Sequence, residues 1–324
     1  MILGQERAVQ RFAAAWALRK LHHAWLLAGP RGVGKASFAR AAARRVLADA
    51  AGPRSNLPGL ETSEEHPMVK LVEAGSHPDM RQLERLVNEK TGNLARNISV
   101  DQVRSLSELF DLSPAMSDWR VVVIDSVDEL EPAGANALLK MLEEPPPNSI
   151  FFLVSHAPGR LLPTIRSRCS RLDFQSLGDD VMTSILEAQS PDVSVPERKK
   201  IVGMSFGSAG RALAFAELDL AKLEDAAIAI LRNGDPTNAR RSELASELGK
   251  RGAGERYAAF LDLAPSMIAR EARQTDGTKR ERALDAYAQA RELATVAPRV
   301  SLDPAATVFQ LGGILASVTD PPLP

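Results

Sequence analysis

Residues 29–37 read GPRGVGKAS, and no other stretch constrains the fold of this chain as tightly. The apolar run HAWLLAG at 23–29 precedes it and predicts a buried parallel strand, while the alanine-rich residues 35–50 predict a helix. A strand, a glycine loop and a helix in this order form an anion site, because loop N–H groups and the helix N-terminus point at one place. The candidate nucleotide-binding residues here are Gly29, Gly32, Gly34 and Lys35.

The first half of the chain continues to alternate between strand and helix patterns. The pattern predicts further strands at 120–126 and 149–156 and helices at 5–20, 98–110 and 132–147, with Ser99 as a helix N-cap. Residues 51–80 read as an irregular excursion. After about residue 171 only helical patterns follow, with breaks expected at Gly234-Asp235-Pro236 and at Ala264-Pro265. This order predicts an α/β domain with a parallel sheet, followed by helices alone.

Two positions, one after the phosphate loop and one after the strand RVVVID, lack the side chain that ATP hydrolysis needs. Ala36 stands where a hydroxyl would hold magnesium, although Ser37 follows it. Asp125 ends the apolar strand RVVVID, as a magnesium-side aspartate does, or as a plain acidic turn would. Ser126 stands where a water-polarising acid is expected, and Asp128 and Glu129 are shifted along the chain, which would aim them elsewhere. The sequence therefore predicts no hydrolysis, while passive binding of ATP or ADP stays open.

Charge and composition narrow the class of protein further. With 40 Lys+Arg against 41 Asp+Glu, the net charge of −1 does not indicate a strongly basic nucleic-acid binder. The apolar runs are short of a membrane span, and MILGQERAVQ lacks the pattern of a secretory signal, so the cytoplasm is the expected location. The single cysteine, Cys169, excludes an internal disulfide and a multi-cysteine zinc site, and is expected to pack rather than react.

Several motifs in order along residues 1–175 carry a family resemblance. They are GQERAV, HHAWLLAGPRGVGKAS, HPD at 77–79, ANALLKMLEEPPPNSIFFLVSH and TIRSRC. Together they resemble the clamp-loader branch of the AAA+ proteins. The resemblance implies a RecA-like AAA+ domain at 1–172 with a degenerate phosphate loop, a small helical lid at 173–217 and an all-α collar for oligomerisation at 218–324.

The resemblance also implies a function for Arg168. Without the surrounding motif, Arg168 would be interpreted as a surface salt-bridge residue, although no acidic residue lies near it in the sequence. In this family, the arginine of the Ser-Arg-Cys triplet reaches the ATP of a neighbouring subunit. The implied role is a non-hydrolysing subunit of the DNA polymerase III clamp loader, part of the DNA polymerase holoenzyme, with no cofactor required. Its partners would be the ATPase subunits and the delta subunit in a hetero-oligomer, which acts on the sliding clamp and primed DNA.

The chain also departs from the pattern of its family. Many bacterial relatives carry a four-cysteine zinc module after the phosphate loop, but residues 50–100 contain no cysteine, so no zinc is expected. The neighbours His22 and His23 are expected to point apart on a regular strand. Arg211 stands one position late for a second nucleotide-sensing arginine.

Two other functions compete with the non-hydrolysing subunit. An active motor subunit of the same branch would need a hydroxyl at 36 and an acid at 126. A small-molecule kinase built on the same loop would explain neither Ser167-Arg168-Cys169 nor the helical second half.

Overall fold

The computed structural model describes residues 2–87, 94–111, 113–218 and 220–319. The described chain divides into two units, Met1–Val181 and Met182–Pro324. The fifth strand ends at Asp173, and Phe174 after it is buried. The domain bounds implied by the family resemblance, at 172/173 and at 217/218, stay predictions.

The first unit is built on a five-stranded sheet whose paired strands all run parallel. The strands are β1 (Ala24–Ala28), β2 (Met80–Leu83), β3 (Arg120–Asp125), β4 (Ser149–Ser155) and β5 (Ser170–Asp173). They lie in the order β2-β3-β4-β1-β5. The α/β class and the three central strands predicted from sequence are confirmed, whereas the edge strands β2 and β5 were missed because they are short and half polar.

Alternating side chains of the central strands feed two separate apolar layers, as the pleat of a strand requires. One layer takes Trp25, Leu27, Val121, Val123, Ile150, Phe152 and Val154. The other takes Leu26, Val122, Ile124, Phe151 and Leu153. A sheet that is buried on both faces explains why these strands read as continuous apolar runs rather than as alternating ones.

Helices cover both faces of the sheet. The first layer is closed by α1 (Glu6–Ala17), α2 (Lys35–Ala51) and α3 (Pro67–Glu73). The second layer is closed by α4 (Val100–Arg104), α5 (Leu106–Asp111), α6 (Pro132–Glu143) and α7 (Pro163–Ser167). Ser99 caps α4 as predicted, in a capping box with Gln102. The helix predicted at 98–110 is two short helices, and α6 ends before the prolines at 145–147.

The expected excursion at 51–80 contains a helix that the sequence pattern did not reveal. In α3, Pro67 occupies the first turn, Met68 and Val72 are buried, and the ring of His66 accepts a hydrogen bond from the Met68 N–H. Histidine is an unusual N-cap, so the start signal was weak.

Residues 52–61 pass over the surface without regular structure, and one arginine on α2 holds them together. The guanidinium of Arg45 donates to the backbone carbonyls of Ser55 (2.6 Å), Leu57 (2.9 Å), Gly59 (3.3 Å) and Glu61 (3.0 Å). Its Nε donates to the Asp49 carboxylate at 2.8 Å. That carboxylate is buried and also accepts from Trp16 Nε1 and the Ser55 N–H. One buried ion pair therefore organises the whole segment.

The second unit is helical throughout its described part, as predicted. After α8 (Asp179–Gln189), which crosses the division between the units, follow α9 (Val195–Ser205), α10 (Ala209–Glu217), α11 (Ala221–Asn233), α12 (Ala239–Leu248), α13 (Gly254–Gln274), α14 (Gly277–Arg299) and α15 (Pro304–Ala316). The break at Gly234 is confirmed, since α11 ends there. The break expected at Ala264-Pro265 is wrong, because Pro265 lies inside α13.

Burial explains why the proline does not end this helix. Pro265 and its neighbours Leu261, Leu263, Ala264 and Ile268 are all buried, so packing along α13 outweighs the one backbone hydrogen bond that proline removes. No described helix is both long and apolar enough to cross a membrane.

Candidate nucleotide site and arginine finger

The phosphate loop lies at the carboxyl edge of the sheet, between β1 and α2. Gly29 sits so close to the chain after β5 that a Cβ there would lie 2.2 Å from the Phe174 carbonyl oxygen. Gly34 caps α2 with φ +96°, in the region that favours glycine. These two glycines are required by close approach and by backbone conformation, and Gly32 between them has φ +75°.

Lys35 is the first residue of α2 and is buried at 3% exposure. Its ammonium group donates to the Gly29 carbonyl at 2.7 Å and to the Pro30 carbonyl. Burial lowers the pKa of Lys35 to about 8, against the opposing pull of the Asp125 and Asp128 carboxylates. In this state the lysine closes its own loop, so a phosphate bound there must draw the ammonium away from two carbonyls.

Asp125 reaches the same edge of the sheet from β3. The register pairs Asp125 with Val154 and Ala28 with Ser155, which aligns the carboxyl ends of β3, β4 and β1. Burial raises the pKa of Asp125, and the nearby cations Arg40, Lys35 and Arg31 oppose that rise. Lys35 and Asp125, predicted separately from sequence, therefore lie close enough at the strand ends for the charge of each to affect the pKa of the other.

Ala36 and Ser126 occupy the two positions where hydrolysis would need a hydroxyl and an acid. Ala36 is half-buried on the first turn of α2, and Ser37 is exposed one position later. Successive helical side chains are rotated by about 100°, so the Ser37 hydroxyl points in a different direction from the Ala36 methyl group. Ser126 is buried, and its hydroxyl finds no hydrogen-bond partner among the described residues.

Asp128 and His156 also belong to this site, although the sequence pattern does not indicate them. Asp128 accepts a hydrogen bond from the Ser155 hydroxyl at 2.9 Å and from the His156 N–H at 2.5 Å. Burial, with Lys35 and Arg31 nearby, lowers the pKa of His156 to about 4. Asp128 is thus not aimed away from Lys35 as expected; the turn Val127–Glu129 folds it back to the end of β4.

Glu129 lies in the same turn as Asp128 and pairs with Arg85, which follows β2, at 2.9 Å. The only signal that could have found His156 was its place directly after a buried parallel strand, where ligand-binding residues of such sheets gather.

Arg168 follows the last residue of α7, and two groups of its own chain hold its guanidinium. Nη2 lies 2.8 Å from Glu143 Oε1, and Nη1 donates to the Thr164 carbonyl at 3.0 Å. The acid partner absent from the neighbouring sequence is therefore supplied by the end of α6. Within the described part of the chain, Arg168 makes no hydrogen bond or ion pair with the phosphate loop of its own subunit.

Cys169 and Arg211 each make contacts within their own unit. Cys169 is a half-buried free thiol packed against the second apolar layer, and burial raises its pKa to about 12, which agrees with a packing role. Arg211 on α10 donates to the Ser266 hydroxyl at 3.1 Å, within the second unit.

One prediction about the histidines is wrong. His22 and His23 do not point apart; they precede β1 and stack with ring centroids 4.4 Å apart. Each ring bonds a backbone carbonyl, that of Ala24 or Leu142, which turns both rings to the same side. His77 is buried in the turn before β2, where it accepts the Asp79 N–H. The described residues contain no group of three or more His, Cys, Asp or Glu that could hold a metal ion.

A parallel sheet with a glycine loop after one strand, a lysine opening the next helix and an aspartate ending another strand defines a phosphate-loop α/β protein. A family model described as DNA polymerase III, delta subunit, matches residues 4–178. The chain belongs to this family, which confirms the clamp-loader resemblance drawn from its motifs.

Individual relatives agree with the family. The DNA polymerase III subunit delta' of Pseudomonas aeruginosa is 34% identical over 189 residues, covering 57% of this chain and 53% of the relative. The subunit tau of Bacillus subtilis is 31% identical over 235 residues, covering 69% and 39%. The chain thus spans about half or less of the length of these relatives. A gamma subunit-related protein from Thermotoga maritima covers 95% of this chain and 98% of its own, at 15% identity and a TM-score of 0.49.

Proposed function

We propose that this chain is a delta-prime-type subunit of a DNA polymerase III clamp loader. In this proposal it does not hydrolyse ATP and supplies Arg168 to the ATP site of a neighbouring subunit. The observation that carries the proposal is the contrast between the two sites: the chain's own phosphate loop has Ala36 and Ser126 at the hydrolytic positions, while Arg168 lies outside that loop on a surface-exposed helix end.

The chemistry of the loop supports the absence of hydrolysis. With methyl at 36 and the Ser37 hydroxyl turned away, the loop offers no side-chain oxygen at the magnesium position. Ser126 cannot act as a general base at neutral pH without an activator, and its hydroxyl is buried. Lys35 and Asp125 remain, and they support passive binding of ATP or ADP as the most that this site does.

The chemistry of arginine supports a role in trans. A guanidinium carries a permanent charge and offers parallel N–H donors to phosphate oxygens. A finger supplied across a subunit interface stabilises charge on the transferring phosphoryl group and raises the rate by about 10³–10⁵. The proposed partners are the ATPase subunits and the delta subunit, acting in the cytoplasm on the sliding clamp and primed DNA, without zinc.

One observation favours a second candidate, an active motor subunit of the same branch. Asp128 is folded back to the end of β4 and acts electrostatically on Lys35, so a carboxylate is available near the position where Ser126 lacks one. Phosphate release by the isolated chain that disappears in Lys35→Ala would support this candidate over the first.

The test of the finger is a reconstituted loader that carries wild-type subunit, Arg168→Ala or Arg168→Lys. The control is Arg166→Ala, an exposed arginine on the same short helix. We expect Arg168→Ala to leave assembly intact and to lower DNA-stimulated ATPase partly, because other sites keep their own fingers, while clamp loading suffers more. Arg168→Lys should rescue only in part, since an ammonium cannot make the two-pronged contact. Normal loading with intact assembly would rule out the finger.

A further inference from the structure

The guanidinium of Arg168 is already oriented before any neighbour approaches. We propose that Glu143 is a positioning residue that holds Arg168 in the direction from which it reaches a neighbouring subunit's phosphates. This inference rests on the proposed function and assigns a purpose to the first of the two glutamates of LLKMLEEPP, which is the last residue of α6.

Both ends of this contact are fixed by packing. Leu142, next to Glu143, and Ile165, in the turn before Arg168, are each buried in the second apolar layer, 2% and 1% exposed. The backbone under each charged side chain is therefore immobilised by the sheet. The 2.8 Å ion pair joins two anchored helix ends, so it fixes the direction of the guanidinium relative to the whole first unit.

Only some of the N–H donors of Arg168 are bonded within its own chain, and the others can bond an anion of a neighbouring subunit. A guanidinium has five N–H donors. The Thr164 carbonyl takes one from Nη1 and the Glu143 carboxylate takes one from Nη2, which leaves three. Glu143 can thus stay bonded while other donors address an anion, and the partner need not break the pair to use the finger.

The pair is too exposed to matter much for folding. The side chains of Arg168 and Glu143 are 35% and 48% exposed, and ion pairs in that setting contribute little to stability. What the pair controls is orientation, and orientation dominates catalysis by a positioned charge, because a misplacement of about 1 Å can cost about 10²-fold in rate. Removing Glu143 should therefore leave the fold unchanged and weaken the finger.

The experiment uses the reconstituted loader and measures ATPase as a function of ATP concentration. The Arg168-dependent rate is defined as the wild-type rate minus that of Arg168→Ala. We expect Glu143→Ala to remove most of this rate and Glu143→Gln, which keeps an oxygen acceptor but no charge, to remove less. The loss should fall on kcat, with KM for ATP unchanged. The matched control is Glu144→Gln, which alters the neighbouring carboxylate, for which the described structure shows no ion pair.

A double variant separates positioning from a merely structural role. If Glu143 acts through Arg168, Glu143→Ala should have no further effect in the Arg168→Ala background. An unchanged or increased Arg168-dependent rate in Glu143→Ala, or an equal loss in both backgrounds, would overturn the positioning role while leaving the finger intact. If Arg168→Ala itself leaves ATPase and loading unchanged, the proposed function is wrong and the role of Glu143 falls with it.

Discussion

Arg45 offers the sharpest test of how the first unit is held together. Its guanidinium ties four backbone carbonyls of residues 52–61 to the buried Asp49 carboxylate, and the side chains of the pair are only 12% and 2% exposed. Arg45→Ala removes all of these contacts at once. We expect the substitution to destabilise the first unit and to release the segment from α2.

The magnitude follows from the burial of the pair. Breaking a buried ion pair by removing one partner costs about 3–5 kcal/mol. Asp49 keeps two other donors, Trp16 Nε1 and the Ser55 N–H, so the lower end, about 3 kcal/mol, is expected. For a unit of this size each kcal/mol shifts Tm by about 2–4 °C, which gives a loss of about 6–12 °C.

The assays are thermal unfolding and amide hydrogen exchange of the full chain. Exchange should accelerate within residues 52–61, first at the Ser55 amide that donates to Asp49. The matched control is Arg44→Ala, one residue earlier on α2, whose pair with Glu73 is exposed (30% and 57%) and should contribute only about 0–1 kcal/mol. If Arg45→Ala lowers Tm no more than Arg44→Ala, or leaves exchange at 52–61 unchanged, the reasoning is refuted.

Three further predictions concern the loop, metal content and pH. The isolated chain should release no phosphate from ATP above background, and turnover abolished by Lys35→Ala would contradict this. Elemental analysis of tag-free protein should find no stoichiometric zinc. Because the pKa of His156 is lowered to about 4 in the folded chain, the unfolded state binds a proton first as pH falls below about 6.5. Wild type should therefore lose more unfolding free energy between pH 7 and pH 5 than His156→Gln does, and equal losses in denaturant titrations would show the reasoning wrong.

The local parts of the fold could be read directly from the sequence. The strand at β1, the glycine loop, the start of α2 and the aspartate ending β3 depend on neighbouring residues, on short apolar runs and on glycine's freedom of φ. The absence of a hydroxyl at 36 and of an acid at 126 was likewise visible position by position. Such features need no knowledge of what packs against them.

Propensity gave wrong or incomplete answers where packing decides. Proline at 265 is a local break signal, but the buried surface of α13 outweighs one lost backbone hydrogen bond. The rings of His22 and His23 stack because each finds a carbonyl partner, and the partner of His23, Leu142, lies far along the chain. Short, half-polar edge strands such as β2 carry too weak a pattern to be recognised alone.

The charged contacts that shape the candidate sites were decided by the tertiary structure alone. Glu143 meets Arg168, Asp128 meets the end of β4, and Arg45 gathers the carbonyls of 52–61 only after the parallel sheet has brought helix ends and strand ends together. The sequence determines which groups can donate, accept or carry charge. Which of them meet depends on strand order and register, because an ion pair acts over a few ångströms and leaves no periodic pattern along the chain.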